Sequence, residues 1–225
     1  MPYKLSSSSL GLMKDCPRCF WLEMHERWKR PSGIFPSLPS GMDRVLKKHF
    51  DNFRDRAELP PELVKTSECG EMRLFGENKD EKELLEAWRD ARRGIFYKDE
   101  KGNILKGAVD NILVKGRKLI VLDYKTRGYA LKDDTHKHYQ DQLDVYNFLL
   151  RENGLDVENF GFLLFYVPEK VLPSGEVVFS THLIKMQANP DGAKKLFEDA
   201  LRMLDGKCPA HHGENACEWC RLIED

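Results

Sequence analysis

Val45, Leu46, His49, Phe50 and Phe53 recur at three- and four-residue intervals, so the stretch 42–55 is predicted to be an amphipathic helix. Leu143, Tyr146, Phe148, Leu149 and Leu150 predict another over 138–153, and 80–94 reads the same way up to the terminating Gly94. Near the start, the serine run Ser6–Ser9 caps a helix that carries Leu10, Leu12 and Met13, and Pro17 opens a second helix over 17–28. A last helix is expected over 190–204. Between the early helices, the stretch 30–41 holds three prolines and two glycines and is expected to be a loop. The pattern changes in the middle of the chain. Residues 95–114 predict a hairpin turning around Asp99–Asn103. The runs Ala108–Val114 and Lys118–Tyr124 follow, joined by a Lys-Gly-Arg turn. The stretch 118–126 is the most strand-like of the chain, and strands are also expected over 159–169 and 176–186. Helix-rich ends around a meander of strands predict an α/β fold with a central mixed sheet flanked by helices.

A chain of 225 residues is long enough to bury a core of its own. Residues 1–225 are expected to form a single domain, with its core at about 95–187, a helical N-terminal part over 1–94 and a C-terminal part over 188–225. Hydrophobic content of 41% beside charged content of 32% fits a globular protein in water. No apolar run is long enough to cross a bilayer, and the first residues lack the layout of a signal peptide, so a cytoplasmic location is the default expectation. A net charge of -1 excludes a global field drawing in polyanions. Basic clusters at 27–30, 89–93 and 115–118 permit a nucleic-acid partner, though each alone reads as a solvated face.

The two central runs carry charges where strands would place apolar residues. Asp110 lies in the first, Asp123 and Lys125 in the second. Residues two apart on a strand share a face, so Asp123 and Lys125 project together while Ile120, Leu122 and Tyr124 fill the other side. Asp110 can lie across the ladder from them. Either acid alone would read as a satisfied structural residue or an edge-strand charge. Together, two carboxylates suit a hard divalent cation such as Mg²⁺ or Mn²⁺, and a neighbouring ammonium can orient water or balance charge developing on a phosphate. That set suits metal-assisted phosphodiester hydrolysis.

The stretch "GAVDNIL…KLIVLDYKT" resembles the core motif of the PD-(D/E)XK nuclease superfamily, in its RecB-like branch. Asp110, Asp123 and Lys125 stand at the motif positions. Gln142 and Tyr146, four residues apart on one helical face, match the Gln-x-x-x-Tyr that the branch carries on its next helix. The opening "SSSSLGLMKDCPRCFWL" matches the branch's N-terminal order. The resemblance runs from Ser6 to Cys220 and implies a restriction-endonuclease-like core. It also implies a metal-binding histidine on an early helix. His49 is the candidate, although it lies eight residues past Gly41, farther than the family pattern.

Cys16 and Cys19 form one C-x-x-C pair, Cys217 and Cys220 another. That spacing lets two thiolates reach one ion, so the pairs predict a metal site joining the N- and C-terminal segments. A one-plus-three set, Cys16 with Cys208, Cys217 and Cys220, is the alternative. His211 and His212 are further zinc candidates in an expected solvated loop, and Cys69 is a bystander. The resemblance implies a [4Fe-4S] cluster, with Zn²⁺ the alternative that spacing alone leaves open. It further implies a DNA exonuclease acting on single strands or ends, of the kind that serves CRISPR adaptation or recombination and repair with protein partners. The rival readings are a catalytically inactive, metal-stapled DNA-binding module and a zinc-stapled interaction protein.

Overall fold

A computed structural model of the chain describes residues 2–33, 36–210 and 217–219. Two short sheets organise it. Strand β1 (Lys4–Ser6) leads into helix α1 (Ser7–Asp15) and then α2 (Pro17–Met24). Ser6 caps α1 through a reciprocal pair: its hydroxyl accepts from the Ser9 backbone, and the Ser9 side chain accepts from the Ser6 backbone. Cys16 then caps α2 with its sulfur, and Pro17 takes the first helical position, where a missing N–H costs nothing. Helix α3 (Ser37–Arg54), the single turn α4 (Pro61–Val64), strand β2 (Met72–Leu74) and helix α5 (Lys79–Arg89) complete the N-terminal half.

Strands β3 (Ile95–Lys98) and β4 (Ile104–Gly107) form the expected hairpin, which β1 extends in parallel to give a three-stranded sheet. Strands β5 (Asn111–Lys115), β6 (Lys118–Thr126), β7 (Phe160–Val171) and β8 (Val177–Gln187) join β2 in a five-stranded sheet of order β2-β5-β6-β7-β8. Only the β6–β7 pair in it is parallel, and α6 (Gln140–Glu152) provides the crossover that such a pair needs. Helix α7 (Pro190–Asp205) closes the described chain against α6 and the N-terminal helices. Among the described residues no helix is long and apolar enough to cross a membrane.

The five-stranded sheet is buried on both faces. Ile112, Leu119, Val121 and Leu163 pack with residues of α1, α2, α5, α6 and α7 in one cluster, and Leu113, Ile120, Leu122 and Leu164 pack with Leu46 and Phe50 of α3 and Leu63 of α4 in the other. Each such aliphatic side chain taken from water contributes roughly 1.5–3 kcal/mol. Two glycines set how closely α6 approaches. A Cβ on Gly107 would lie 2.7 Å from the Tyr146 ring, and one on Gly161 would lie 2.4 Å from the Leu143 side chain.

Three expectations are corrected. Helix α3 starts at Ser37, inside the predicted loop, because Pro39 falls in the first turn, where backbone N–H groups have no helical partner. The run Ala108–Val114 is not one strand. β4 ends at Gly107 in the smaller sheet, β5 begins at Asn111 in the larger, and Asp110 lies in the bend between them. The predicted helix 17–28 stops at Met24, and the chain turns through Glu26 at positive φ.

Candidate active site

Asn111 pairs with Leu122, so Asp110 stands one step beyond that pair, opposite Asp123. Alternation then does the rest. Asp123 and Lys125 share the face of Leu119 and Val121, toward α6, while Tyr124 points to the α3 side. Asp110 Oδ2 accepts from the Tyr124 backbone N at 3.2 Å, which turns its carboxyl toward Asp123. The Lys125 ammonium forms an ion pair with Asp123 and donates to Gln142 Oε1 at 2.9 Å; Gln142 Nε2 donates to the Tyr146 hydroxyl at 2.7 Å. Lys125 also lies 4.7 Å from the centre of the Tyr139 ring. The structure thus brings together Asp110, Asp123, Lys125, Gln142 and Tyr146.

Asp123 is only 3% exposed, and its buried Oδ2 is the oxygen that the Lys125 ammonium contacts. Burial, then the Asp110 charge, push its carboxyl up to about 7, against the opposing pull of Lys125. Burial, and behind it the Asp123 charge, also hold the Tyr146 phenol above its ordinary range, so it stays a neutral hydrogen-bonding group. A buried carboxylate beside a second carboxylate is a donor set that a hard divalent ion fits.

Helix α3 carries His49 and Lys47. His49 Nε2 lies 3.0 Å from Glu62 Oε1, which also accepts from the Tyr166 hydroxyl at 3.0 Å, and its ring packs edge-on against Phe50 and Phe53. The α3 side chain that reaches the acids is Lys47, 3.2 Å from Asp110 Oδ1 and 3.0 Å from Asp43 Oδ2. Residues two apart on a helix point in different directions, so α3 cannot present both Lys47 and His49 to the acids. Burial opposes the Lys47 charge, but Asp110 and Asp43 outweigh it and raise its pKa above the ordinary lysine value. His136 and His138 lie in a short 3₁₀ turn, Thr135–Tyr139, and His182 on β8 contacts Ser180.

Behind Asp110 is a layer that sequence reading missed. Arg89 Nε donates to the Asp110 carbonyl at 2.8 Å and its Nη1 to Asp51 at 2.8 Å. Arg54, almost fully buried, donates to the Phe75 carbonyl at 2.5 Å, to Asn111 Oδ1 at 2.6 Å and to Asp51. Asn111 in turn donates to the Tyr124 hydroxyl. The only signal in the sequence was an asparagine and two arginines in otherwise amphipathic elements.

The sequence model of the PD-(D/E)XK nuclease superfamily matches residues 4–224. The chain belongs to that superfamily. A solved structure described as "Crystal structure of SSO0001" is similar over 95% of this chain and 82% of that one, at 15% identity and a TM-score of 0.45. No curated protein matches. Membership implies a nucleic-acid substrate, and the superfamily typically uses divalent metals.

This member of the nuclease superfamily has a second donor cluster. The sulfurs of Cys16, Cys19 and Cys217 all lie within 4.8 Å of one another, with Cys19 and Cys217 3.6 Å apart. The cluster links the α1–α2 junction to the C-terminal segment. Arg30 lies over it, with Nη2 3.5 Å from the Cys217 sulfur and Nη1 2.6 Å from Asp15. Thiolates bound tetrahedrally at about 2.3 Å to one ion stand roughly 3.8 Å apart, so the three sulfurs fit a single-ion site. Cys220, His211 and His212 lie outside the described residues. Cys208 stands apart from the trio, 3.8 Å from Arg18 Nη1, and Cys69 is buried beneath the α3 face of the sheet.

Proposed function

We propose that this chain is a Mg²⁺- or Mn²⁺-dependent deoxyribonuclease that removes nucleotides from single strands or DNA ends. The observation that carries the reading is the opposed pair Asp110 and Asp123, two carboxylates side by side with Asp123 buried and the Lys125 ammonium against it. The two carboxylates would hold the divalent ion. When bound, that ion supplies Lewis-acid activation of the scissile phosphate and of the attacking water. Hydrolysis joins a water oxygen to phosphorus and breaks one ester P–O bond. Lys125 orients the water and offsets charge gathering on the phosphate oxygens. Gln142 holds the Lys125 ammonium in place, and Tyr146 fixes the Gln142 amide by accepting its N–H.

On the cysteine side, the sulfur spacing favours a single thiolate-bound ion of the zinc class. In a [4Fe-4S] cluster each thiolate takes a separate iron, and the sulfurs spread apart. Cys220 is our candidate for the fourth ligand, with Cys208 as the alternative. We place the enzyme's work in DNA repair or CRISPR adaptation on the resemblance alone.

The test is digestion of an end-labelled single-stranded oligonucleotide with Mn²⁺ and with EDTA, beside metal analysis of the purified protein. Mn²⁺-dependent laddering from one end supports the reading. No cleavage with Mn²⁺ or Mg²⁺, but binding that weakens with salt, would leave a DNA-binding module instead. One zinc per chain supports the single-ion centre; four irons per chain restore the cluster.

A further inference from the structure

The acid pair has an ammonium on each side, and only Lys125 belongs to the motif. Lys47 comes from the opposite wall, on α3, and divides Asp110 with the sheet: Lys47 faces Oδ1 and the Tyr124 backbone N–H donates to Oδ2. Its role as a mere tie between α3 and the sheet is redundant. Leu46 and Phe50 already bury α3 against the sheet, while Arg89 holds the Asp110 backbone. Partly exposed ion pairs add little to such anchoring. The first turns of α3 also project from the core, with Leu38 and Val45 largely exposed, so this wall is open to a ligand.

Charge accounting points the same way. Asp43, Asp110 and Asp123 against Lys47 and Lys125 leave one negative charge when all are ionised. A divalent ion on the acid pair turns that into one positive charge, which a phosphodiester, carrying one negative charge, would balance. We propose that Lys47 is a substrate-binding lysine that contacts a backbone phosphate of the strand from the α3 side, opposite Lys125. This rests on the nuclease reading above and adds to it the wall along which the strand runs. Asp43, four residues earlier on the same helix face, is the positioning residue that keeps the ammonium near the site when no phosphate is there.

The test compares wild type with Lys47→Met, which keeps the apolar stem, and Lys47→Arg. Oligonucleotide affinity is measured with Ca²⁺ across a salt series, and Mn²⁺ affinity by electron paramagnetic resonance without DNA. The melting midpoint of Lys47→Met should stay within about 4 °C of wild type. Its oligonucleotide affinity should fall about tenfold, and the slope of log affinity against log salt should shrink by about 0.7, one single-strand phosphate contact. Mn²⁺ should bind several-fold tighter, since a like charge has left Asp110. Lys47→Arg should keep the wild-type slope. Unchanged affinity and slope in Lys47→Met, or weaker Mn²⁺ binding, would overturn the proposal and leave the nuclease reading standing. Wild-type protein without any salt-dependent binding would instead remove that reading, and this proposal with it.

Discussion

Two polar clusters flank β5 and β6, and they are built to opposite rules. On the α3 side, Arg54 uses its donors on Phe75, Asn111 and Asp51, and Asn111 uses both ends of its amide, on Arg54 and Tyr124. On the α6 side, Asp123 is as deeply buried, yet it faces another carboxylate, with the Lys125 ammonium against its Oδ2. Buried polar groups tied into such a network rigidify a fold, although Nη2 of the neighbouring Arg89 is buried without a hydrogen bond. A buried carboxylate pressed against a like charge costs stability and persists where it serves another end. The first cluster is scaffold, and the second is what the scaffold holds in position: Arg89 and Arg54 grip the backbone and side chain of residues 110 and 111 from behind.

The contrast is sharpest in separate variants. Asp110→Ala and Asp123→Ala should each lower Mn²⁺-dependent cleavage on the order of 10³-fold, with melting midpoints unchanged or raised because a like-charge contact is gone. Equal loss of fold and activity in both would erase the distinction. Arg54→Met should do the reverse first: it takes the donor from the Phe75 carbonyl and one of two donors each from Asp51 and Asn111 Oδ1, costing about 1–3 kcal/mol in urea denaturation. A neutral result there would show that the scaffold cluster holds nothing. Gly107→Ala pushes a methyl into the Tyr146 ring and should cost about 1–3 kcal/mol, with cleavage reduced through the displaced Tyr146–Gln142–Lys125 chain. The smallest effect belongs to Glu81, which links α5 to β2 through Arg73 and the Gly76 N–H. Chiefly its hydrogen bond with Arg73 depresses the Glu81 carboxyl below its ordinary value. Its stabilisation is therefore present above the unfolded value and lost as pH falls through the folded one. Glu81→Gln should remove about 1 kcal/mol at neutral pH and flatten the acid limb of the stability profile.

The acid–lysine cluster was legible because strand alternation and helical spacing are strict. The face shared by Asp123 and Lys125, and the pairing of Gln142 with Tyr146, follow from periods of two and four. What escaped was set by tertiary contacts. The three-residue strands β1 and β2 and the single turn α4 are too short to leave a periodic pattern. The bend at Ala108–Asp110 hid inside an apolar run that spans two sheets. Lys47 went unnoticed beside His49, since only the rotation of α3, fixed by Leu46 and Phe50, turns it toward Asp110.

The cysteine clip also orders events in time. Cys19 and Cys217 touch across 198 residues of chain. At roughly 5–20 residues per second, a ribosome takes on the order of 10–40 s to make the second sulfur after the first. Asp110, Asp123, Lys125, Gln142 and Tyr146 are all made well before Cys217 is. The N-terminal thiols must wait for that partner, open meanwhile to oxidation or to a stray ion.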